Sequence, residues 1–304
     1  MRVGLCIPVG ERGPALVPFR YREMRELAQA ADSGGLDSIW MADHLFIQGG
    51  ETGERGLWES MSMLAALADA TTRVELGPLV LCTPFRNPGM IAWAANALDE
   101  ISDGRFVLGM GAGWHQPEFD AFGFNFDHKV SEFSDALEIT VPLLRDGHVS
   151  YQGKYHKGAA RLHPRGPRPQ GPPILLAGSG PRMLGLIAKF ADRWNSVWYG
   201  LPTEEFRDER RRLEQACAQI GRDPKTIEVS AGIQIYDPAT VDENGPDKIV
   251  GRAPQILDAL RIWQAEGVTE VMCRMEPASV PLAAEISRAA QGLRAAAARQ
   301  SCLS

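Results

Sequence analysis

The chain has 304 residues, 44% of them hydrophobic, and a formal net charge of −6. That length buries one large core or two ordinary domains. The acidic balance removes the global basic footprint of nucleic-acid binding, and no apolar run approaches the roughly 20 residues of a membrane-spanning helix.

Short apolar runs alternate with longer amphipathic segments from the first residues on. MRVGLCIPVG is too short for a secretory leader and reads as the opening of a strand, Arg2–Val9, so a cytoplasmic setting is expected. Helix Tyr21–Ser33 follows, ended by Gly34-Gly35, then strand Ser38–His44 and helix Trp58–Ala70. Strand Val74–Leu81 precedes helix Pro88–Ile101, which Asn87-Pro88 opens. Strand Arg105–Gly111 leads to helix Val130–Leu144, and strand Pro173–Gly178 to helix Pro181–Ala191. Strand Arg193–Trp198 is paired with helix Thr203–Ile220, capped by Thr203. Strand Ile227–Tyr236, helix Pro254–Glu266, strand Glu270–Met275 and helix Leu282–Arg299 complete the series. Eight strand–helix units without clean period-two alternation predict an α/β fold, a (β/α)8 TIM barrel with both sheet faces covered. A doubly wound open sheet is the alternative. We expect a single domain over residues 1–304, with insertions near 45–57, 146–172 and 237–252.

Cys6, Cys82, Cys217, Cys273 and Cys302 are odd in number and show no C-x-x-C pair, which predicts reduced thiols and no zinc site. The insertion after the fourth helix holds a predicted hairpin, YQGKYH, within a stretch where Lys154, Lys157, Arg161, Arg165 and Arg168 occur without an acid. An anion-binding lid is one reading. A solvated excursion is the favoured one, because a helix-to-strand connection emerges on the face opposite a barrel's active site.

On a barrel the strand C-terminal ends converge on one mouth, so chemistry is sought there. The second strand, IWMADHLF, ends in Asp43 and His44. Asp43 can orient a ring or accept a ring N–H, and His44 can donate a hydrogen bond or move a proton near neutral pH. The alternative is an ordinary strand terminus, with Asp43 capping a turn. Gly178-Ser179-Gly180-Pro181 opens a helix after an apolar strand, which suits a phosphate and equally a tight turn. In Gly109-Met110-Gly111-Ala112-Gly113 the glycines leave the strand end bare for a flat ring, or else relieve a crowded interior. Trp114 supplies a wall. Trp198, at a strand end, is the better pocket tryptophan, whereas Trp40 and Trp194 read as core. His115 and Glu118 have H-x-x-E spacing but no third ligand, so no metal is expected. No G-x-S-x-G occurs, which leaves serine hydrolysis unsupported.

These stretches resemble the bacterial luciferase-like superfamily, within it most nearly the oxidoreductases that use the deazaflavin coenzyme F420. The resemblance rests on WMADHLF, LGPLVLCTPFRNPGMIAWAANALDEISDGRFVLGMGAGWHQPEFDAFG, YQGKYH, PPILLAGSGPRMLGLIAKFADRWN and VGRAPQILDALRIWQAEGV, which together span most of the chain. It implies a barrel with insertions, and a non-proline cis peptide at Leu79–Val80 against which the redox ring rests. It also implies ring-side backbone at Gly111–Gly113 and a cofactor phosphate at Gly178–Pro181. Asp43 and His44 match the family's acid–histidine pair. The implied activity is hydride transfer between F420 and a small organic substrate. Two other activities share the architecture: an FMN-dependent two-component monooxygenase fed by a separate reductase, and a non-catalytic flavin-binding protein. The family often forms homodimers. One departure stands out: some F420-dependent dehydrogenases carry Glu directly after the fourth-strand glycines, where this chain has Trp114, which argues against sugar-phosphate dehydrogenation.

Overall fold

Strands buried on both faces need no polar alternation, and the computed structural model, which describes residues 1–49, 53–241 and 248–301, contains eight of them. They are β1 (Arg2–Cys6), β2 (Ser38–Met41), β3 (Glu75–Pro78), β4 (Leu108–Gly111), β5 (Ile174–Ala177), β6 (Arg193–Tyr199), β7 (Glu228–Tyr236) and β8 (Glu270–Glu276). The long helices are α1 (Tyr21–Ser33), α2 (Ser60–Ala70), α3 (Pro88–Ile101), α4 (Lys129–Asp146), α5 (Pro181–Phe190), α6 (Glu204–Gln219), α7 (Ala253–Ala265) and α8 (Val280–Ser301). Positions 50–52 and 242–247, inside two of the expected insertions, and Cys302 lie outside the described residues.

The strands are all parallel, in the order β3-β2-β1-β8-β7-β6-β5-β4. The ring closes where the chain beyond β3 returns to β4. Leu76 accepts from Val107 N at 2.9 Å, and the short strand Leu81–Cys82 pairs with Met110 and Gly111. The sheet is therefore a closed (β/α)8 barrel and not an open sheet.

Local chemistry sets the element ends. Asn87 accepts from Gly89 N at 2.9 Å with Pro88 in the first turn of α3, and Thr203 Oγ1 accepts from Phe206 N ahead of α6. Gly35 and Gly267 hold positive φ just beyond α1 and α7. The main core lies between the sheet and the helix layer. Inside the barrel Trp40, Val107, Leu175 and Met272 form a smaller plug.

Below that plug, at the strand N-terminal ends, the interior is ionic. Arg193 pairs with Glu75 at 2.8 Å, and Arg2 bridges Glu228 at 2.5 Å and Glu270 at 3.2 Å. Glu270 is fully buried and also accepts from Ser38 Oγ and Trp40 Nε1. Burial raises the Glu270 carboxyl above the ordinary range, against the pull of Arg2, Ser38 and Arg193.

The basic insertion is absorbed at this same end. Its hairpin forms between His148–Gln152 and Lys157–Arg161. Arg165 donates to the carbonyls of Leu143 and Leu144 in the last turn of α4. Arg168 pairs with buried Asp99 and donates to Phe106 O, just ahead of β4. These two arginines serve the fold on the face opposite the mouth.

Candidate functional site

β2 stops at Met41, so Asp43 and His44 lie on the rim and not in the strand. Asp43 is 5% exposed and its acceptor positions are filled. Ser60 Oγ donates to Oδ1 at 2.7 Å, Cys82 N donates to Oδ2 at 2.8 Å, and Arg86 grips both oxygens at 2.7 and 2.9 Å. A carboxylate offers about four lone-pair sites, so this one is a structural node. It ties the end of β2 to the start of α2 and to the chain after Leu79–Val80. Burial and the neighbouring Asp43 and Glu118 charges push the Cys82 thiol well above its ordinary value, so it stays protonated.

His44 faces the other way. Its Nδ1 lies 2.7 Å from Glu118 Oε2, and Glu118 is 1% exposed. The second carboxylate oxygen accepts from Leu45 N at 2.5 Å and Phe46 N at 3.4 Å. Burial alone would raise the Glu118 carboxyl, yet the bonds from His44 and Leu45 N hold it below the ordinary glutamate value. An ionised carboxylate is acceptor-only, so Nδ1 carries the hydrogen and Nε2 is left as the acceptor nitrogen. The imidazole is 18% exposed on its side chain, and Nε2 has no partner among the described residues. Trp114 meets the His44 ring edge-on, centroids 5.4 Å apart, while remaining 65% exposed.

Glu118 sits on a short helix, Gln116–Phe122, that sequence reasoning missed. Its signals were Pro117 in the first turn and Gly123 at a left-handed C-cap. His115, beside it, accepts from Gln48 N at 3.0 Å through Nε2 and so fastens the following hairpin, Phe46–Gln48 with Glu54–Gly56. Among the described residues no group of three or more His, Cys, Asp or Glu is arranged to hold a metal.

The expected non-proline cis bond is present at Leu79–Val80, and a second one occurs at Val197–Trp198. Leu79 and Val80 are half-buried and pack on the interior plug. The fourth-strand glycines are explained by this neighbour. A Cβ on Gly109 would stand 2.0 Å from Pro78 O, and one on Gly111 2.8 Å from Val80 Cγ2. Gly113, at φ +77°, is crowded by Cys82 Sγ and Phe119. Close packing therefore accounts for these glycines, and Ala112 is buried with them.

At the end of β5, Gly178 O accepts from Trp194 Nε1 at 3.0 Å and Ser179 O from Arg212 Nη1 at 3.2 Å. Gly180 caps α5 with no side chain over the first-turn N–H groups, Pro181 begins the helix, and a Cβ on Gly180 would meet nothing within 4 Å. An anion fits that open terminus. At the end of β6, Gly232 makes room for the Val197–Trp198 turn, since its Cβ would lie 2.3 Å from Val197 Cγ1. Val197 is exposed and Trp198 half-buried at the mouth. Behind them Ser196 Oγ donates to buried Glu209 at 2.6 Å.

The rim thus presents Leu79, Val80, Val197 and Trp114 as partly exposed apolar walls, one histidine with an open ring nitrogen, and one uncovered helix terminus. That set suits a flat aromatic ring carrying a phosphate tail.

The family model described as luciferase-like monooxygenase matches residues 1–243. The F420-dependent glucose-6-phosphate dehydrogenase of Amycolatopsis mediterranei is 31% identical over 58% of this chain and 52% of its own length. The 5,10-methylenetetrahydromethanopterin reductase of Archaeoglobus fulgidus is 32% identical over 76% of this chain and 64% of its own. Pyrimidine monooxygenase RutA of Methylobacterium radiotolerans is 33% identical over 73% and 61%. The alignments thus span 52% to 64% of the length of these curated relatives. Among solved structures, an F420-dependent secondary alcohol dehydrogenase in complex with an F420-acetone adduct shares the fold, with a TM-score of 0.77 over 94% of this chain and 97% of that one at 17% identity. A riboflavin lyase, RcaE, with modified FMN and riboflavin does so at 0.78, over 97% and 92%, at 14% identity.

Proposed function

The chain belongs to the luciferase-like monooxygenase family, whose relatives here include F420-dependent and flavin-related oxidoreductases, and from that premise we propose that it transfers a hydride between coenzyme F420 and a small organic substrate. The observation that carries the reading is the His44–Glu118 pair at the barrel mouth. It is a proton-moving group with one nitrogen fixed and the other open, beside apolar walls that accept a flat ring. Similarity to an F420-dependent dehydrogenase supports F420, and the comparable similarity to a pyrimidine monooxygenase keeps FMN as the second reading.

In this proposal Leu79 and Val80 support one face of the ring, the backbone of Gly111, Ala112 and Gly113 flanks it, and Trp114 closes a side. Gly178, Ser179 and Gly180 hold the phosphate through backbone N–H groups, and Pro181, which has no N–H, fixes the start of the helix behind them. When bound, F420 supplies a carbon that gives or accepts a hydride and reacts poorly with oxygen. The chain's own task is to align the substrate carbon, exclude water, and move the matching proton. When a hydroxyl is oxidised, its proton passes to His44 Nε2; when a carbonyl is reduced, Nε2 returns it. Glu118 keeps the hydrogen on Nδ1, which leaves Nε2 free to act. Asp43 holds the rim in place through Arg86 and does not itself exchange a proton. Trp198 lines the substrate side.

A homodimer is part of the proposal, and the outward face of α3 supports it: Met90, Trp93 and Ile101 lie exposed along one stripe. Among the described residues no helix is long and apolar enough to cross a membrane.

Anaerobic titration with oxidised and reduced F420, followed by its absorbance and fluorescence, tests the cofactor. Saturable binding with hydride exchange supports the reading. Oxygen consumption with reduced FMN from a separate reductase, and no response to F420, would replace it with the two-component monooxygenase.

A further inference from the structure

The eighth strand supplies a mouth residue that the catalytic reading leaves unused. Side chains alternate along a strand, and β8 shows which face is which. Glu270 joins the interior ion network, and Met272 belongs to the interior plug with Trp40, Val107 and Leu175. Val271, Cys273 and Met275 belong to the helix-side core. Arg274 shares the face of Glu270 and Met272, so it projects into the barrel one step above the plug, at the level where the mouth opens. It is exposed. Its guanidinium lies 5.8 Å from the Trp198 ring centroid, within cation–π range.

Arg274 has no hydrogen-bonded or ion-paired partner among the described residues. Other arginines at the strand ends are spoken for. Arg2 and Arg193 sit in the ion network at the opposite end, and Arg86 is held by Asp43 and Glu59. Glu276, the next residue on the same face, is exposed and forms no ion pair with Arg274. Its donors stay open beside the Trp198 ring, and the planar fork of a guanidinium matches planar oxyanions in a bidentate manner.

Placement relative to His44 gives the substrate a size. β2 and β8 are the two neighbours of β1, and adjacent strands lie about 4.8 Å apart, so the His44 and Arg274 strands stand roughly 10 Å apart at the rim. A molecule of a few carbons spans that gap with one end on each group.

We propose that Arg274, within cation–π range of Trp198, binds an anionic group of the substrate, and that the substrate is a small organic carboxylate whose reacting carbon lies toward His44. This deepens the hydride-transfer reading and rests on it for the identity of the reacting end alone. The anion site itself is independent of which cofactor binds.

Calorimetric titration of the full chain, with and without F420, using acetate, benzoate and inorganic phosphate as probes and benzamide as the neutral control, tests this. Benzoate is expected to bind, to bind less well as salt is added, and to lose at least about tenfold in affinity in Arg274→Met, the scale of one charge-assisted pair. Arg274→Lys keeps the charge without the fork and should fall between the two. Benzamide and F420 affinities should not change in either variant. Equal benzoate affinity in Arg274→Met, or no binding of any of the three anions to the unsubstituted chain, overturns the proposal. So does loss of F420 affinity in the variant, which would assign Arg274 to the cofactor. Failure of F420 to bind the unsubstituted chain, with the benzoate contrast intact, would remove the cofactor reading and sustain the anion site.

Discussion

Replacing Glu118 by Gln keeps the side-chain volume and removes only the charge, which isolates what that carboxylate does to His44. The amide oxygen can still accept from Leu45 N, now 2.5 Å from Oε1. The amide nitrogen then faces His44 Nδ1 at the position where Oε2 lies 2.7 Å away. An NH2 donor forces Nδ1 to become the acceptor, and the hydrogen moves to Nε2. The ring keeps its place but presents the wrong atom to the mouth. Two charge-assisted bonds to a side chain that is 1% exposed become neutral ones, at about 1 kcal/mol each, so stability should fall by about 2 kcal/mol. Turnover should fall by roughly 10²–10⁴, the range for a mis-set general base, while cofactor affinity stays within a few fold. Long-range 15N NMR of the histidine ring reads the tautomer, calorimetry reads stability, and steady-state kinetics reads turnover. In the double variant with His44→Ala the cost in turnover should not exceed that of His44→Ala alone. Unchanged turnover despite an inverted tautomer would refute the reasoning.

Removing the acid from the other rim contact should act on stability. Asp43→Ala strands Ser60 and Cys82 N and leaves Arg86 with Glu59 alone, and is expected to cost about 3 kcal/mol, visible as a lowered unfolding midpoint. His44→Ala should leave cofactor binding within a few fold and slow turnover by roughly 10²-fold or more; unaltered turnover removes the residue from the mechanism. Because the Glu118 carboxyl is held below the ordinary glutamate value, its stabilising contribution is complete above a pH of about 4.3 and disappears as pH falls through the lower folded value. The melting temperatures of the unsubstituted chain and Glu118→Gln should therefore differ at neutral pH and converge in acid. Gly178→Val places a branched side chain at φ +145° against Met183 and should weaken cofactor binding; equal affinity would refute the phosphate assignment.

The barrel was legible because its signals are local. Capping residues, glycine stops and apolar runs mark many of the units within a few positions: α1 ends at its glycine stop and α3 begins at its Asn-Pro cap. The cis bond at Leu79–Val80 came through resemblance, since nothing in the local residues distinguishes it. The site was less legible because its decisive contacts are distant in sequence. Glu118 meets His44 across 74 positions, and no pattern on either side announces the pairing. Asp43 and His44 look alike as neighbours on a rim, yet one is saturated by Arg86 and the other opens to the mouth. The glycines of the fourth strand suited a ring or a crowded interior equally, and only the position of Val80 and Pro78 decides for crowding. Arg274 had a sequence signal in the alternation of Glu270, Met272 and Arg274, but that signal needs the interior face to be known first.

The most direct measurement is a crystal structure of the chain with F420 bound. The deazaflavin ring is expected against Leu79–Val80, with its redox carbon turned toward His44 Nε2 and its phosphate at the Gly180 end of α5. Density for the ring anywhere other than this rim, or a ring placed so that His44 cannot reach a substrate beside it, would rule out hydride transfer at this site.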